Sequence, residues 1–304
     1  TSLRRGCDRP EAGGGVMGAA CSKTRLEGAI ARWSLPSAGS RDKRVTLAAC
    51  AGEPHGPPFD HSGWTAVLQT HVTPADQAAP LGAVERTATV DYAGLAADPR
   101  FAAYVVQLAA APVAEMSRPE QMALHLNAYN ALCVGLVASG SASLDRGASL
   151  QSIRDLSTKA KQVWDMPAGT LGGAEISLGE IEHKLLRAVW DEPRIHAAMV
   201  CASASCPNLR SEAYVASRLE SQLDEQAAEW LANTTKGSAL DKEAGRLTLS
   251  RIFLWFAADF GDRAGVVEFV ARHAASAEDA AWIRASAHAL QLDYLEYSWA
   301  LNRT

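Results

Sequence analysis

Apolar residues recur at helical spacing through most of the chain and alternate in only a few short runs. The pattern predicts a short helix over 64–72, stopped by Pro74. Asp98-Pro99 reads as an N-cap followed by the first helical residue, opening an Ala-rich helix to about 110. A long apolar helix is predicted over 120–139, with Pro119 ahead of it and Gly140 closing it. Residues 141–175 read as loop with one helical turn near Ile153. Ser177-Leu178-Gly179-Glu180 has the form of a capping box, and the helix it opens runs to about Trp190 before Pro193. A short apolar run over 195–201 predicts a buried strand. An amphipathic helix follows over 214–233, a strand over 247–249, and a helix over 251–260 ended by Gly261. Helices over 264–275 and 280–289 and a last strand over 290–297 complete the series. The fold class expected is α+β, a helix-rich single domain with a small, mainly antiparallel sheet.

Composition sharpens the boundaries. The chain has 304 residues, 48% hydrophobic and 21% charged, with a net charge of −5. That is enough apolar material for a substantial core. The charge argues against broad nucleic-acid binding, and six cysteines in this length do not make a disulfide scaffold. Apolar runs such as 131–138 are too short to span a bilayer. The first fifty residues carry nine Lys and Arg against four acids, and include Gly13-Gly14-Gly15. We read 1–57 as a disordered basic tail and 58–304 as the globular domain. The tail has no secretory apolar segment, so a cytoplasmic location is expected. Within it, Met17-Gly18-Ala19-Ala20-Cys21-Ser22 fits the N-myristoylation pattern. If translation starts at Met17, Gly18 is the acylated terminus and Cys21 a palmitoylation candidate. A membrane surface then becomes a partner.

The polar chemistry concentrates between His183 and Cys206. Cys206 precedes Pro207. If a helical turn starts at Pro207, the thiol caps it, and free N–H groups and the helix dipole favour the thiolate. The alternative is an inert buried thiol. His183 and His196 are the candidate bases. On a regular helical wheel Leu178, Ile181, Leu185 and Val189 form the core stripe, with His183 at its boundary. Glu182 falls close to the stripe as a buried acid needing a partner, with Arg154, Arg187 and Arg194 as candidates. Zinc is a competing use of His183, His196, Cys201 and Cys206, although their spacing fits no familiar finger. Asn127 and Asn130 share one face of the long helix. They can orient an imidazole, bind substrate, or tie down a loop backbone. No cofactor fingerprint, Gly-rich phosphate loop or internal repeat is present, and no cofactor is expected.

Several ordered blocks resemble the family called domain of unknown function 547, over about 59–302. They are Phe59-Asp60-His61, Asp91-Tyr92, Leu126-Asn127-Ala128-Tyr129-Asn130-Ala131, and Ser177-Leu178 through Ile181-Glu182-His183 and Leu186-Arg187. Arg194-Ile195-His196-Ala197 through Cys201-Ala202-Ser203 and Ser205-Cys206-Pro207 form the most specific one. Leu249-Ser250-Arg251-Ile252-Phe253 with Asp259-Phe260-Gly261, and the stretch 294–302, match its ending. His125 stands where the family usually has a bulky residue such as tryptophan, and Asn233-Thr234-Thr235 lacks a common Arg/Asn-rich run. The resemblance implies no established activity. It is compatible with a shared chemistry or with a reusable interaction domain. The function expected is a cysteine-dependent hydrolase or acyltransferase acting on a small-molecule or peptide substrate. Cys206 would be the nucleophile, His183 the base and Asn127 the orienting amide, with Asn130, His196, Glu182 and Arg194 in support. A non-catalytic scaffold is the alternative and a zinc-binding domain a further one. On the leading reading, both amides and both histidines converge on Cys206.

Overall fold

The computed structural model describes residues 44–50, 58–143 and 149–304. Its centre is α4 (Arg118–Ser143), apolar on nearly every side and buried from Met122 to Val134. By length and composition Arg118–Gly140 could cross a membrane, but 83% of its most apolar window is buried inside the fold, as in a core helix. Gly140 does not end it. A Cβ there would collide with Leu156, so the glycine serves a close approach rather than a stop. Around α4 pack α1 (Ser62–His71), α2 (Tyr92–Ala97) and α3 (Pro99–Ala109), with Trp64 stacked on Tyr104. Asp98 caps α3 as expected, accepting from the Arg100 N–H.

Among the described residues three small sheets carry the strands, and the fold is α+β. In the first, β1 (Val72–Thr73) pairs antiparallel with β2 (Thr89–Val90). A hairpin of β3 (Pro167–Leu171) and β4 (Ala174–Ser177) lies inside the stretch expected to be loop. Its two-residue turn is Gly172-Gly173, both at positive φ (57° and 84°), a turn that matches the twist of paired strands. In the third, β5 (Ser238–Asp241) pairs antiparallel with β6 (Arg246–Leu249), and β6 pairs parallel with β7 (Gln291–Tyr294). The crossover between β6 and β7 runs through α8 (Ile252–Trp255), α9 (Ala257–Phe260), α10 (Arg263–Arg272) and α11 (Ala277–Ser286). The single helix expected over 251–260 is thus two short ones, broken at Phe256 (φ −114°, ψ 27°).

The capping box at Ser177 is present, with reciprocal bonds between Ser177 and Glu180. It opens α5 (Leu178–Glu180), which continues as a π-helix over Ile181–Arg187. A π-helix has a wider turn, so the regular wheel fails here. Leu186 is buried, whereas Val189, placed on the core stripe by the wheel, is 39% exposed. The expected strand over 195–201 is instead a four-residue helix, α6 (Ile195–Ala198), followed by extended backbone. Arg194 favours that turn. It bonds Glu192 and the exposed Glu220 and Asp224, on α7 (Leu219–Ala232), at 2.7 and 2.8 Å.

The buried apolar residues form two clusters. One surrounds α4; the other gathers Trp230, Phe253, Phe260 and Phe269 beneath β6. Within the stretch read as tail, residues 44–50 pack on the first cluster. Val45 bridges to Trp190, and Leu47 and Cys50 are buried. So short a run registers no periodicity. Gly18 and Cys21 lie outside the described residues.

Candidate thiol site

Two layers fix the loop from Met199 to Cys206. From below, Asn130 accepts the Val200 N–H and donates to the Ala198 carbonyl, both at 2.9 Å. Above it, the chain between β7 and Thr304 lies across the loop. Ala204 and Ser205 donate to the Ala300 and Ser298 carbonyls, and Asn302 donates to Ala202. Ser203 forms a bridge with Leu301. Tyr92 anchors the strap through a 2.6 Å bond to Asn302. Between these layers Ala202 sits at φ 59°, a left-handed conformation that costs a residue with a Cβ about 1 to 2 kcal/mol.

The loop brings two sulfurs together. Cys206 Sγ accepts the Cys201 N–H at 3.0 Å and lies 2.6 Å from Cys201 Sγ. Cys201 Sγ is 3.3 Å from Ser203 Oγ and 3.4 Å from Tyr297 Oη, and those hydroxyls are 2.9 Å apart. Cys206 is buried and Cys201 half-buried. Burial raises the Cys206 thiol, but hydrogen bonds from the Cys201 thiol and N–H, Tyr297 and Ser203 outweigh it and bring it down to about 7. Cys201 is pushed well above its ordinary value by its bond to Cys206, by burial, and by charge on Cys206. The pair therefore releases one proton near neutrality and holds the other. Cys133 is raised by burial and by the nearby Cys206.

The cap expected for Cys206 is absent. Residues 207–210 form no helix, and the Cys206 N–H closes a turn on the Ser203 carbonyl. Cys201 supplies the thiol's hydrogen bonds in place of a helix dipole. The N–H groups of residues 204–206 all have backbone acceptors.

The other predicted residues gather elsewhere. Asn127 bonds both the N–H and the carbonyl of Tyr214, at 2.9 and 2.8 Å. Its amide ties down a loop backbone, as Asn130 does. His196 Nε2 lies 2.9 Å from Asp259 Oδ2, with its ring stacked on Phe256. Arg187 Nε meets the same carboxylate at 2.5 Å, and Arg44 reaches its other oxygen at 3.2 Å. Burial raises the Asp259 carboxyl, but His196 and Arg187 hold it well below the usual carboxylate range. His183 lies 2.9 Å from the Arg187 guanidinium, and burial lowers its pKa. Glu182 is buried as expected, 3.9 Å from His183 and 3.5 Å from the Tyr129 hydroxyl. The histidines thus belong to an Asp259-centred ion network, and the sulfurs to a separate hydroxyl-lined nest. Among the described residues, no three His, Cys, Asp or Glu side chains gather into a set that could hold a metal ion.

This loop, the amides of α4 and the π-helix occupy one contiguous span of sequence. Residues 113–231 match the family model described as protein of unknown function, DUF547. No curated protein and no solved structure matches the chain. The matched segment holds Asn127, Asn130, Glu182, His183, Arg194, His196, Cys201 and Cys206. Two residues that complete the two polar centres lie beyond it, and so does one buried lysine.

Those three are Tyr297, Asp259 and Lys236, and sequence reasoning gave none of them a role. Tyr297 sits in a block that carried the resemblance, but a tyrosine near a strand end shows nothing of its partner. Asp259 precedes Phe260-Gly261 and reads as an ordinary helix-end acid. Lys236 is the least expected, being 1% exposed. Its signal is the adjacent Gly237, where a Cβ would strike the Trp230 carbonyl. That close approach folds the 233–237 turn inward and takes the lysine with it. Lys236 bonds Asn208, which also lines a cleft of about 370 Å3 with Arg210, Glu212, Glu225 and Glu229.

Proposed function

We propose that the protein performs thiol–disulfide exchange through Cys201 and Cys206. The observation that carries this reading is the 2.6 Å approach of the two sulfurs, one half-buried and one buried, with a single proton released near neutrality. The proton between the sulfurs can shift to Cys206, leaving the thiolate on the more accessible Cys201. That thiolate attacks a substrate disulfide, R–S–S–R′, forming Cys201–S–S–R and expelling R′S⁻. R′S⁻ takes up the Cys206 proton. Cys206 then attacks the Cys201 sulfur, closes the intramolecular disulfide and releases RS⁻. Two electrons pass to the substrate, and an external thiol reductant restores the dithiol.

Acyl transfer, the expectation from sequence, shares Cys206 and its lowered pKa as support. It requires a base and oxyanion donors. The imidazoles of His183 and His196 are held by Arg187 and Asp259, and the N–H groups of residues 204–206 already have acceptors. Exchange needs neither.

Incubation of the reduced full chain with a small aromatic disulfide, followed by peptide mapping, tests the proposal. A 201–206 crosslink with two thiols released per disulfide is expected; Cys206→Ser should stop at the Cys201 mixed disulfide with one thiol released, and Cys201→Ser should give no crosslink. Absence of the crosslink, or release of both thiols per disulfide by Cys206→Ser, would refute it. Ester or thioester turnover lost in Cys206→Ser but kept in Cys201→Ser would favour acyl transfer instead.

A further inference from the structure

We infer that Lys236 is a positioning residue for the thiol pair, supplying the buried positive charge that stabilises its thiolate. The inference deepens the proposed function and rests on the Cys201–Cys206 pair being the working centre. Lys236 is 1% exposed, and Nζ donates to two neutral oxygens, Asn208 Oδ1 at 2.6 Å and Thr87 Oγ1 at 3.2 Å. Among the described residues no carboxylate forms an ion pair with it. Moving an ammonium out of water costs several kcal/mol, so a buried one keeps its charge only where a negative group answers it.

Both oxygens are attached to the thiol loop. The Thr87 hydroxyl donates onward to the Ala204 carbonyl at 3.2 Å, and Asn208 is two residues beyond Cys206. Asn208 is itself fixed: its oxygen accepts the Ala88 N–H, and its amide donates to Glu229 and the Arg86 carbonyl. The ammonium is therefore held against the 204–208 backbone.

The anionic candidates around it and around the thiol loop can be taken in turn. Glu229 is exposed, on the far side of the Asn208 amide, where water screens it. Tyr92, Tyr129 and Tyr297 are pushed well above the ordinary phenol value by burial and stay neutral. Cys133 is likewise held as a thiol. That leaves the coupled Cys201–Cys206 pair as the buried anion. The coupling is reciprocal. Burial lowers Lys236 to about 8, opposed by charge on Cys206 and Glu229, so the lysine is still protonated where the pair ionises.

Lys236→Gln keeps a hydrogen-bond donor and removes the charge; Lys236→Met removes both. The readout is the pH midpoint of iodoacetamide alkylation at Cys201 and Cys206, mapped by mass spectrometry. Both variants are expected to raise the midpoint by about one unit, a tenfold loss of thiolate near pH 7. Glu229→Gln should leave it within a few tenths. A purely structural lysine would instead give wild-type behaviour in Lys236→Gln, which would overturn the inference. A second measurement needs no lysine variant. The NMR titration of the Lys236 side chain should move to lower pH by about one unit in the Cys201→Ser, Cys206→Ser protein. An unchanged titration would also overturn it. If the midpoints shift while disulfide exchange fails, the charge coupling stands and the proposed function falls.

Discussion

Replacing Asn130 tests whether an amide staple holds the thiol loop in place. The side chain is 3% exposed and makes two bonds, accepting the Val200 N–H and donating to the Ala198 carbonyl, both at 2.9 Å. Asn130→Ala leaves a buried donor and a buried acceptor without partners. Each orphan costs about 1 to 3 kcal/mol, so the sum is about 3 to 5 kcal/mol once a little relaxation is allowed. For a domain of this size that lowers the melting temperature by roughly 6 to 20 °C. Asn130→Asp separates the two bonds. A carboxylate still accepts from Val200 but faces the Ala198 carbonyl with no proton to give. Protonation restores the donor, so the folded-state pKa of the new Asp is raised above its unfolded value. The stability it contributes is present below the unfolded pKa and lost as pH rises through the folded one. Urea denaturation at pH 7 and pH 4.5, against the wild type at each pH, reads both effects. Alkylation of Cys201 and Cys206 shows whether the sulfurs part. A cost below about 1 kcal/mol for Asn130→Ala, or an Asn130→Asp penalty identical at both pH values, would refute the argument.

Asp259→Asn strands Arg187 and Arg44 and should cost about 3 kcal/mol or more by denaturation at neutral pH. Because the folded Asp259 carboxyl lies below its ordinary value, its contribution is complete above pH 4 and fades as pH falls further; the variant should lose less stability in acid. His125, lowered by burial to about 4 with Nδ1 lacking a hydrogen-bond partner, stays neutral while the unfolded chain takes up a proton near 6.5. Stability should thus fall by about 3 kcal/mol from pH 6.5 to 4 on its account, and His125→Leu should flatten that slope in a pH series of melts. Ala202→Gly removes the left-handed strain at φ 59° and should raise stability by about 0.5 to 1 kcal/mol, a lower melting temperature being the contrary result. A form starting at Met17 is expected to partition to membranes in cell fractionation and Gly18→Ala to release it; a wholly soluble Met17 form would refute the anchor.

Local signals were legible where local physics decides the structure. Asp98-Pro99 and the Ser177 box mark helix starts by side-chain caps that act within three residues, and α4 follows from sustained apolar content. The hairpin was readable only from Gly172-Gly173, because its strands are short and half exposed. The wheel drawn for 178–190 assumed a regular period, which the π-helix at Ile181–Arg187 breaks. The run 195–201 reads as a strand, but Pro193 and the ion-paired Arg194 favour a turn, and a tertiary contact with Asn130 takes over beyond it. At the site, Cys206 and the loop-tying use of the amides were within reach of sequence. The partnership of Cys206 with Cys201 was not, since it depends on a turn closed by a strap from residues 297–302. Nor could a sequence show that Lys236 is buried, or that Asp259 would gather His196 and Arg187.

That strap also gives the loop a history. Its anchors to Ala202, Ser203, Ala204 and Ser205 come from about 90 to 100 residues further along. In a chain made from its N-terminus, those contacts are the last of this sequence to become available. Until residues 297–302 dock, Cys201 and Cys206 lack Tyr297, and Ala202 has no reason to adopt its strained conformation. The hydroxyl-lined nest around the two sulfurs is therefore completed by the last part of this sequence to be made, and its assembly waits on that final docking step.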